Sequence, residues 1–144
     1  MNILIRKATL YDENLISKLE IELFSHTYFK DYRETFLSNQ SVLIALDNQE
    51  LIGIVGWFQQ EDTAEIIMVG VKKEYRRMTV GSTLLKACIS VLVSNSINKL
   101  FIEVRSSNHA ALGLYKAIGF VVNRTRPNYY KDPSEDALEM RLDL

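Results

Sequence analysis

Residues 69–82 read VGVKKEYRRMTVGS, and this stretch is the most informative part of the sequence. It continues an almost unbroken apolar run that begins at residue 63, which is typical of a central strand buried on both faces. Four basic side chains follow within residues 72–77, and a helical pattern begins at Val80. The first turn of a helix carries unpaired N–H groups and partial positive charge, which favour an anion. The stretch therefore predicts an anion site formed by Arg76, Arg77, Gly81 and Ser82. A solvated basic turn before an amphipathic helix is the alternative that these residues leave open.

Two common phosphate-binding motifs are missing from the sequence. The GxxxxGK[ST] loop of nucleoside-triphosphate-binding proteins is excluded because no lysine followed by serine or threonine comes after Gly81. No GxGxxG follows any predicted strand, which excludes the dinucleotide-binding fingerprint. The predicted anion is therefore of another kind.

The patterns on either side of this stretch predict an α/β fold. Apolar runs and alternation predict strands over residues 2–7, 42–46, 51–58, 63–72, 99–105, 121–126 and 137–144. Apolar residues at helical spacing predict helices over residues 10–24, 80–93 and 108–118. A meander of antiparallel strands that leads into strand–helix–strand predicts a mixed sheet with helices on both faces. Gly70, inside the fourth strand, is a candidate bulge or a place of close backbone approach.

Composition limits the class of protein. The chain has 144 residues, so one domain over residues 1–144 is expected. It lacks an apolar stretch of the ~18 residues that span a bilayer, and it lacks a secretory leader pattern. The single cysteine, Cys88, excludes an internal disulfide, so a reducing, cytoplasmic setting is expected. His26, His109 and Cys88 are too isolated in sequence to predict a metal site.

The net charge of −1 conceals a strong segregation of charge along the chain. Residues 1–71 carry a net charge of −6, residues 72–131 carry +9, and residues 132–144 carry −4. The basic segment could suggest nucleic-acid binding, but its charges are spread over strand, loop and helix without interleaved aromatic residues. A small anion is therefore the better prediction, with neither nucleic acid nor membrane as a partner.

The chain resembles the GNAT superfamily of N-acetyltransferases, whose acyl-CoA loop reads Gln/Arg-x-x-Gly-x-Gly/Ala. Residues 76–81, RRMTVG, match this loop except that Thr79 stands where the family has glycine. Further matching residues are Glu103–Asn108 (EVRSSN), Ala111, Leu114–Tyr115, Gly119–Phe120, Asn128–Tyr130 and Glu135–Ala137. Within the superfamily, this combination resembles the bacterial ribosomal-protein alanine N-acetyltransferases. The resemblance implies a seven-stranded GNAT fold whose sheet is splayed between its fourth and fifth strands.

The resemblance also implies roles for individual residues. Glu103 matches the general base and Tyr115 the general acid in transfer of an acetyl group from acetyl-CoA to a protein N-terminal α-amino group. The residues that would bind acetyl-CoA are Val69, Val71, Arg76, Arg77, Met78, Thr79, Val80, Gly81, Ser82 and Asn108. Val69 and Val71 would act through backbone groups, and Asn108 would also cap its helix. The acceptor would be a protein N-terminus, such as that of a ribosomal protein, flanked by residues 24–29 and the Tyr129–Tyr130 segment.

Alternatives remain open for these assignments. Glu103 could be a salt-bridged glutamate with Arg105 nearby, and Tyr115 could be a core tyrosine whose hydroxyl bonds locally. The acceptor could be a small amine or an internal lysine. Because Thr79 interrupts the loop motif, the chain could also be a degenerate CoA-binding module without turnover.

Overall fold

The computed structural model describes residues 2–77 and 79–144, and strands and helices alternate there largely as predicted. The strands are β1 (Ile3–Lys7), β2 (Val42–Asp47), β3 (Glu50–Gln60), β4 (Thr63–Val71), β5 (Lys99–Arg105), β6 (Val121–Tyr130) and β7 (Glu135–Asp143). The helices are α1 (Glu13–Phe24), α2 (Tyr28–Asp31), α3 (Arg33–Asn39), α4 (Val80–Ser94) and α5 (His109–Ile118). The short helices α2 and α3 are additions, because the sequence predicted only a polar connection there.

The predicted mixed, mostly antiparallel seven-stranded sheet is confirmed. Its strand order is β1-β2-β3-β4-β5-β7-β6. The pairs β1–β2, β2–β3, β5–β7 and β6–β7 are antiparallel. The pair β4–β5 is parallel, with Thr63–Glu65 opposite Lys99–Phe101. Both strands continue beyond these paired residues.

The chain forms two compact units, and the first comprises the residues up to Phe58 together with Ile67–Val91. In this unit α1 and α4 lie on opposite faces of the sheet. A Cβ at Gly70 would lie 2.9 Å from the side chains of Leu23 and Phe24 in α1. Successive residues of a strand point to opposite faces, and Val71 points to the same side as Leu84 of α4. Gly70 is therefore a place of close approach, as predicted.

The second unit comprises Gln59–Ile66 and Leu92–Leu144. Along β5, the side chains of Leu100, Ile102 and Val104 are buried, while those of the intervening residues are half-buried. This alternation gives β5 one apolar face and one face that carries Glu103 and Arg105. Helix α5 ends at Gly119, whose φ of 122° places it in the left-handed region that favours glycine.

We find no helix in residues 2–77 and 79–144 with the length and hydropathy of a membrane span. The assignment of residues 1–144 to a single domain stays a prediction.

Candidate active site

The predicted anion site lies in the first unit, where β4 leads into α4. Lys72, directly after β4, donates its backbone N–H to the carbonyl of Ile52 over 2.8 Å. A single 3₁₀ turn, Lys73–Tyr75, follows. The hydroxyl of Tyr75 donates to Asp47 Oδ2 over 2.8 Å, and this bond raises the pKa of Tyr75 to about 12. These bonds fasten the basic turn to the neighbouring strands.

The two arginines of the turn are exposed side chains. Arg76 Nε donates to the carbonyl of Val71 over 3.3 Å. Arg77 has a φ of 63°, and Thr79 has a φ of 65°, so both lie in the left-handed region of the backbone map. Met78, which the resemblance also assigns to this loop, lies outside the described residues.

Thr79 immediately precedes the first turn of α4. Its carbonyl accepts hydrogen bonds from the backbone N–H and the hydroxyl of Thr83, over 2.9 and 2.8 Å. Val80 is buried, and Gly81 and Ser82 are half-buried. The first N–H groups of a helix have no intrahelical partner, so this turn offers donors to an anion beside two exposed arginines. Val69 and Val71, also half-buried, form the end of β4.

Glu103 lies in the second unit, in a cluster of charged side chains on β5, β6 and β7. Directly opposite it on β7 is Glu139. Arg126 of β6 lies between the two carboxylates, with Nε 2.8 Å from Glu103 Oε1 and Nη2 3.6 Å from Glu139 Oε2. Arg124 Nε lies 3.3 Å from Glu139 Oε1. Opposed like charges destabilise a strand pair, so the arginines stabilise this one.

Glu103 is thus ion-paired, but its partner is Arg126 rather than Arg105. Arg105 lies 3.5 Å from Glu135 and has its guanidinium over the ring of Tyr130, 4.3 Å from the centroid. In the ligand-free protein, Glu103 is therefore a salt-bridged glutamate, which was one of the two alternatives that the sequence left open. A paired carboxylate can still take part in chemistry if a substrate ammonium replaces the arginine.

Two further groups surround Glu103. The negative charge of the Glu103 carboxylate raises the pKa of Tyr129. Glu65 of β4 is close enough for the charge of Glu103 to act on it. Desolvation, followed by the charges of Glu103 and Glu139, raises the pKa of Glu65, while Arg126 opposes the shift.

Tyr115 is 6% exposed, and its ring lies 5.8 Å from that of Phe120. Burial, and then the nearby Tyr130, raise the pKa of Tyr115 to about 12. Desolvation is the larger cause that raises the pKa of Tyr130, and the negative charge of Glu103 is the second. Tyr130 is therefore close enough to interact electrostatically with both predicted catalytic residues.

Asn108 caps α5, as predicted. Its Oδ1 accepts the backbone N–H of Ala111 over 3.2 Å, which satisfies one of the free donors at the helix start. Its side chain is exposed.

Cys88 and His26 are two further residues whose surroundings the structure describes. Burial raises the pKa of the Cys88 thiol to about 12, so this cysteine is a poor nucleophile. His26 pairs with Asp31 over 2.9 Å. Among the described residues, no three histidine, cysteine or acidic side chains group together as a metal site would require.

The sequence did not predict three members of this charged cluster, Glu65, Arg126 and Glu139. Alternation along β7 places Glu139 on its polar face, which was a signal. The pairing of Arg126 with Glu103 depends on register shifts between β6 and β7, after Val122 and after Arg126. Such shifts are not visible in the sequence.

Comparison with known proteins identifies the class. The sequence model of the acetyltransferase (GNAT) family matches residues 8–120. The chain belongs to this family and is an acyltransferase of the N-acetyltransferase class.

Named relatives refine the comparison. A Bacillus subtilis (strain 168) protein provisionally named as a ribosomal protein bS18-alanine N-acetyltransferase is 32% identical over 139 residues, 94% of this chain and 92% of that protein. The crystal structure of the ribosomal-protein-S18-alanine N-acetyltransferase from Escherichia coli matches with a TM-score of 0.88 and 25% identity, covering 99% of this chain and 94% of that one. Arabidopsis thaliana Naa50 bound to the bisubstrate analogue CoA-Ac-MVNAL shares the fold, with a TM-score of 0.88, 20% identity and full coverage of both chains.

Proposed function

We propose that the chain transfers the acetyl group of acetyl-CoA to the α-amino group of a protein N-terminus, of the ribosomal-protein alanine type. The observation that carries the proposal is that Glu103 and Tyr115 lie in the same compact unit of a GNAT-family chain. The name of the Bacillus subtilis relative supports this acceptor. A cytoplasmic setting belongs to the proposal, since Cys88 is free and buried.

The first turn of α4 is suited to hold the pyrophosphate of acetyl-CoA. Exposed Arg76 and Arg77 supply charge, and Thr79, Val80, Gly81 and Ser82 bring helix N–H groups close to the ligand. Backbone groups of Val69 and Val71 would bind the pantetheine arm, together with the side chain of Asn108. We include Met78 in this set on the motif alone.

Glu103 accepts a proton from the α-ammonium of the acceptor. The freed nitrogen attacks the thioester carbonyl, so that a C–N bond forms and the C–S bond breaks. Tyr115 gives its proton to the departing thiolate, and the new amide nitrogen releases its second proton to solvent. Tyr115 then regains a proton from solvent, and Glu103 releases its own to solvent. Burial keeps Tyr115 protonated at neutral pH. An α-ammonium has a pKa of about 8, against about 10.4 for lysine, so a carboxylate deprotonates it at lower cost.

The test is thiol release from acetyl-CoA with peptides that begin with alanine, serine or an acidic residue. We expect Glu103→Gln and Tyr115→Phe each to lower kcat by about 10²- to 10⁴-fold. Glu34→Gln and Tyr11→Phe, at exposed positions, are the matched controls and should keep wild-type rates. Unchanged rates in both site variants would contradict the catalytic assignment.

The acceptor is tested separately from the catalytic residues. Release with an N-terminally blocked, lysine-containing peptide but not with free N-termini would indicate an internal lysine as the acceptor. Release with small amines alone would indicate a small-molecule enzyme. Binding of acetyl-CoA without release from any acceptor would indicate the degenerate module.

A further inference from the structure

Arg126 holds an unusual position between the two carboxylates of β5 and β7. Its Nε lies 2.8 Å from Glu103 Oε1, yet this buried nitrogen forms no hydrogen bond within the part of the chain that the structure describes. Its Nη2 lies 3.6 Å from Glu139 Oε2, just beyond hydrogen-bond distance. The contact is therefore a charge pair without directed bonds. Such a contact is easier to exchange than a bidentate, hydrogen-bonded one.

The charges around Glu103 come from each neighbouring strand. Glu65 contributes a carboxylate from β4 and Glu139 another from β7, while β6 contributes Arg126 and the hydroxyl of Tyr129. On β5 itself, Arg105 is engaged by Glu135. Arg126 is thus the cation in direct contact with Glu103. An acceptor ammonium that is to give its proton to Glu103 must come within hydrogen-bond distance of the same carboxylate.

We propose that Arg126 is a positioning residue that occupies, in the free enzyme, the place of the acceptor's α-ammonium on Glu103. Arrival of the acceptor displaces the guanidinium toward Glu139, which already lies 3.6 Å away. The exchange replaces one cation on Glu103 by another, so the carboxylate is not left unpaired in the cluster. It also gives preference to cationic acceptors, because a neutral group does not compensate for loss of the arginine. This inference rests on the proposed function of Glu103 as the base.

The experiment compares Arg126→Gln and Arg126→Lys with wild type, using an alanine-initiated peptide and acetyl-CoA. In Arg126→Gln we expect the KM for the peptide to fall by about fivefold, since the competing cation is gone. The KM for acetyl-CoA should stay unchanged. The acidic limb of the kcat/KM profile should move to higher pH, because Arg126 lowers the pKa values of the neighbouring carboxyls of Glu65 and Glu139. Arg126→Lys should restore both values toward wild type.

Arg141→Gln is the matched control. Arg141 has the same side-chain exposure as Arg126, 35%, and its Nε is also buried without a hydrogen bond, but its ion pair is with Asp143. The control should leave the peptide KM and the acidic limb at their wild-type values. A merely structural role for Arg126 would lower Tm and raise the KM for both substrates, with the limb unmoved. That result would overturn the inference.

The outcome is also distinguishable from failure of the proposed function. If Glu103→Gln retains wild-type kcat, Glu103 is not the base, whatever Arg126 does. If Glu103→Gln is inactive but Arg126→Gln leaves the peptide KM and the acidic limb unchanged, only the displacement inference fails.

Discussion

At the scale of single residues, Thr79 is the position where the residue type and the backbone conformation agree least. Its φ of 65° lies in the left-handed region of the backbone map, where a β-branched residue is strained and glycine is not. The sequence alone indicates that threonine replaces a family glycine, but it does not give the sign of φ. The structure settles that point, and the strain is of order 1–3 kcal/mol.

We expect Thr79→Gly to bind acetyl-CoA about fivefold more tightly than wild type, because no side-chain methyl group would then crowd the pyrophosphate. Isothermal titration calorimetry measures the difference. Gln40→Gly is the matched control, since Gln40 also has a positive φ of 50° but lies at the end of α3. It should leave the affinity for acetyl-CoA unchanged. Equal affinities for wild type and Thr79→Gly would contradict this account of the loop.

At the scale of elements, the connection after α1 depends on one buried carboxylate. Glu20 is 0% exposed and accepts the backbone N–H of Tyr28 over 2.8 Å and that of Phe29 over 3.2 Å. These are free donors at the start of α2, a helix of only four residues. Helices this short do not form by propensity alone, so their sequence has no recognisable periodicity. This is why α2 and α3 could not be predicted, whereas the longer helices could.

Burial raises the pKa of Glu20, with the backbone donors of Phe29 and Tyr28 opposing the shift. The native state therefore holds this proton more tightly than the unfolded state. The corresponding stability is fully present below the unfolded value of about 4.3 and is lost as pH rises through the native pKa. We expect the stability of wild type relative to Glu20→Gln to fall over this pH range. Urea denaturation at several pH values measures it.

Glu22→Gln is the control for this experiment, since Glu22 lies on the same helix but is exposed. Its stability relative to wild type should not follow the same pH trend. A stability difference between wild type and Glu20→Gln that grows as pH rises would contradict the assignment. At low pH the two proteins should differ little in stability, because a protonated carboxyl and an amide accept the two backbone donors in a similar way.

The strands β5 and β6 show which parts of the site could be predicted from sequence patterns and which could not. The bounds of β5 agree with the prediction at both ends, because Leu100, Ile102 and Val104 alternate cleanly with charged and aromatic residues. β6 extends four residues beyond its predicted end at Arg126, and its mostly exposed side chains leave no alternation to read. A register shift of one residue exchanges the two faces of a strand. Glu103 could therefore be found from its motif, but its partner Arg126 could not.

At the scale of the whole molecule, folding partly cancels the segregation of charge along the chain. The acidic tail pairs with the basic middle segment, since Glu135 lies 3.5 Å from Arg105 and Glu139 lies 3.3 Å from Arg124. Four basic residues outside these pairs, Lys72, Lys73, Arg76 and Arg77, come before α4, where the pyrophosphate is proposed to bind. Lys72 is paired with Glu50 over 3.2 Å. These four basic residues supply positive charge beside the proposed pyrophosphate site.

The remaining acidic charge bears on the acceptor. The segment up to residue 71 has a net charge of −6 and includes Glu65, whose carboxylate belongs to the Glu103 cluster. We therefore expect an alanine-initiated peptide with lysine or arginine at positions two to six to show a kcat/KM about tenfold above that of a neutral peptide at low salt. The ratio should approach one at about 0.5 M salt, because exposed charges are then screened over a few ångströms. Steady-state rates with both peptides across a salt series measure it, with the KM for acetyl-CoA recorded alongside. Equal kcat/KM values for the two peptides at low salt would show that the acidic segment does not attract the acceptor. A preference for the basic peptide that persists at high salt would show that direct pairing within the Glu103 cluster, rather than long-range attraction, selects this peptide.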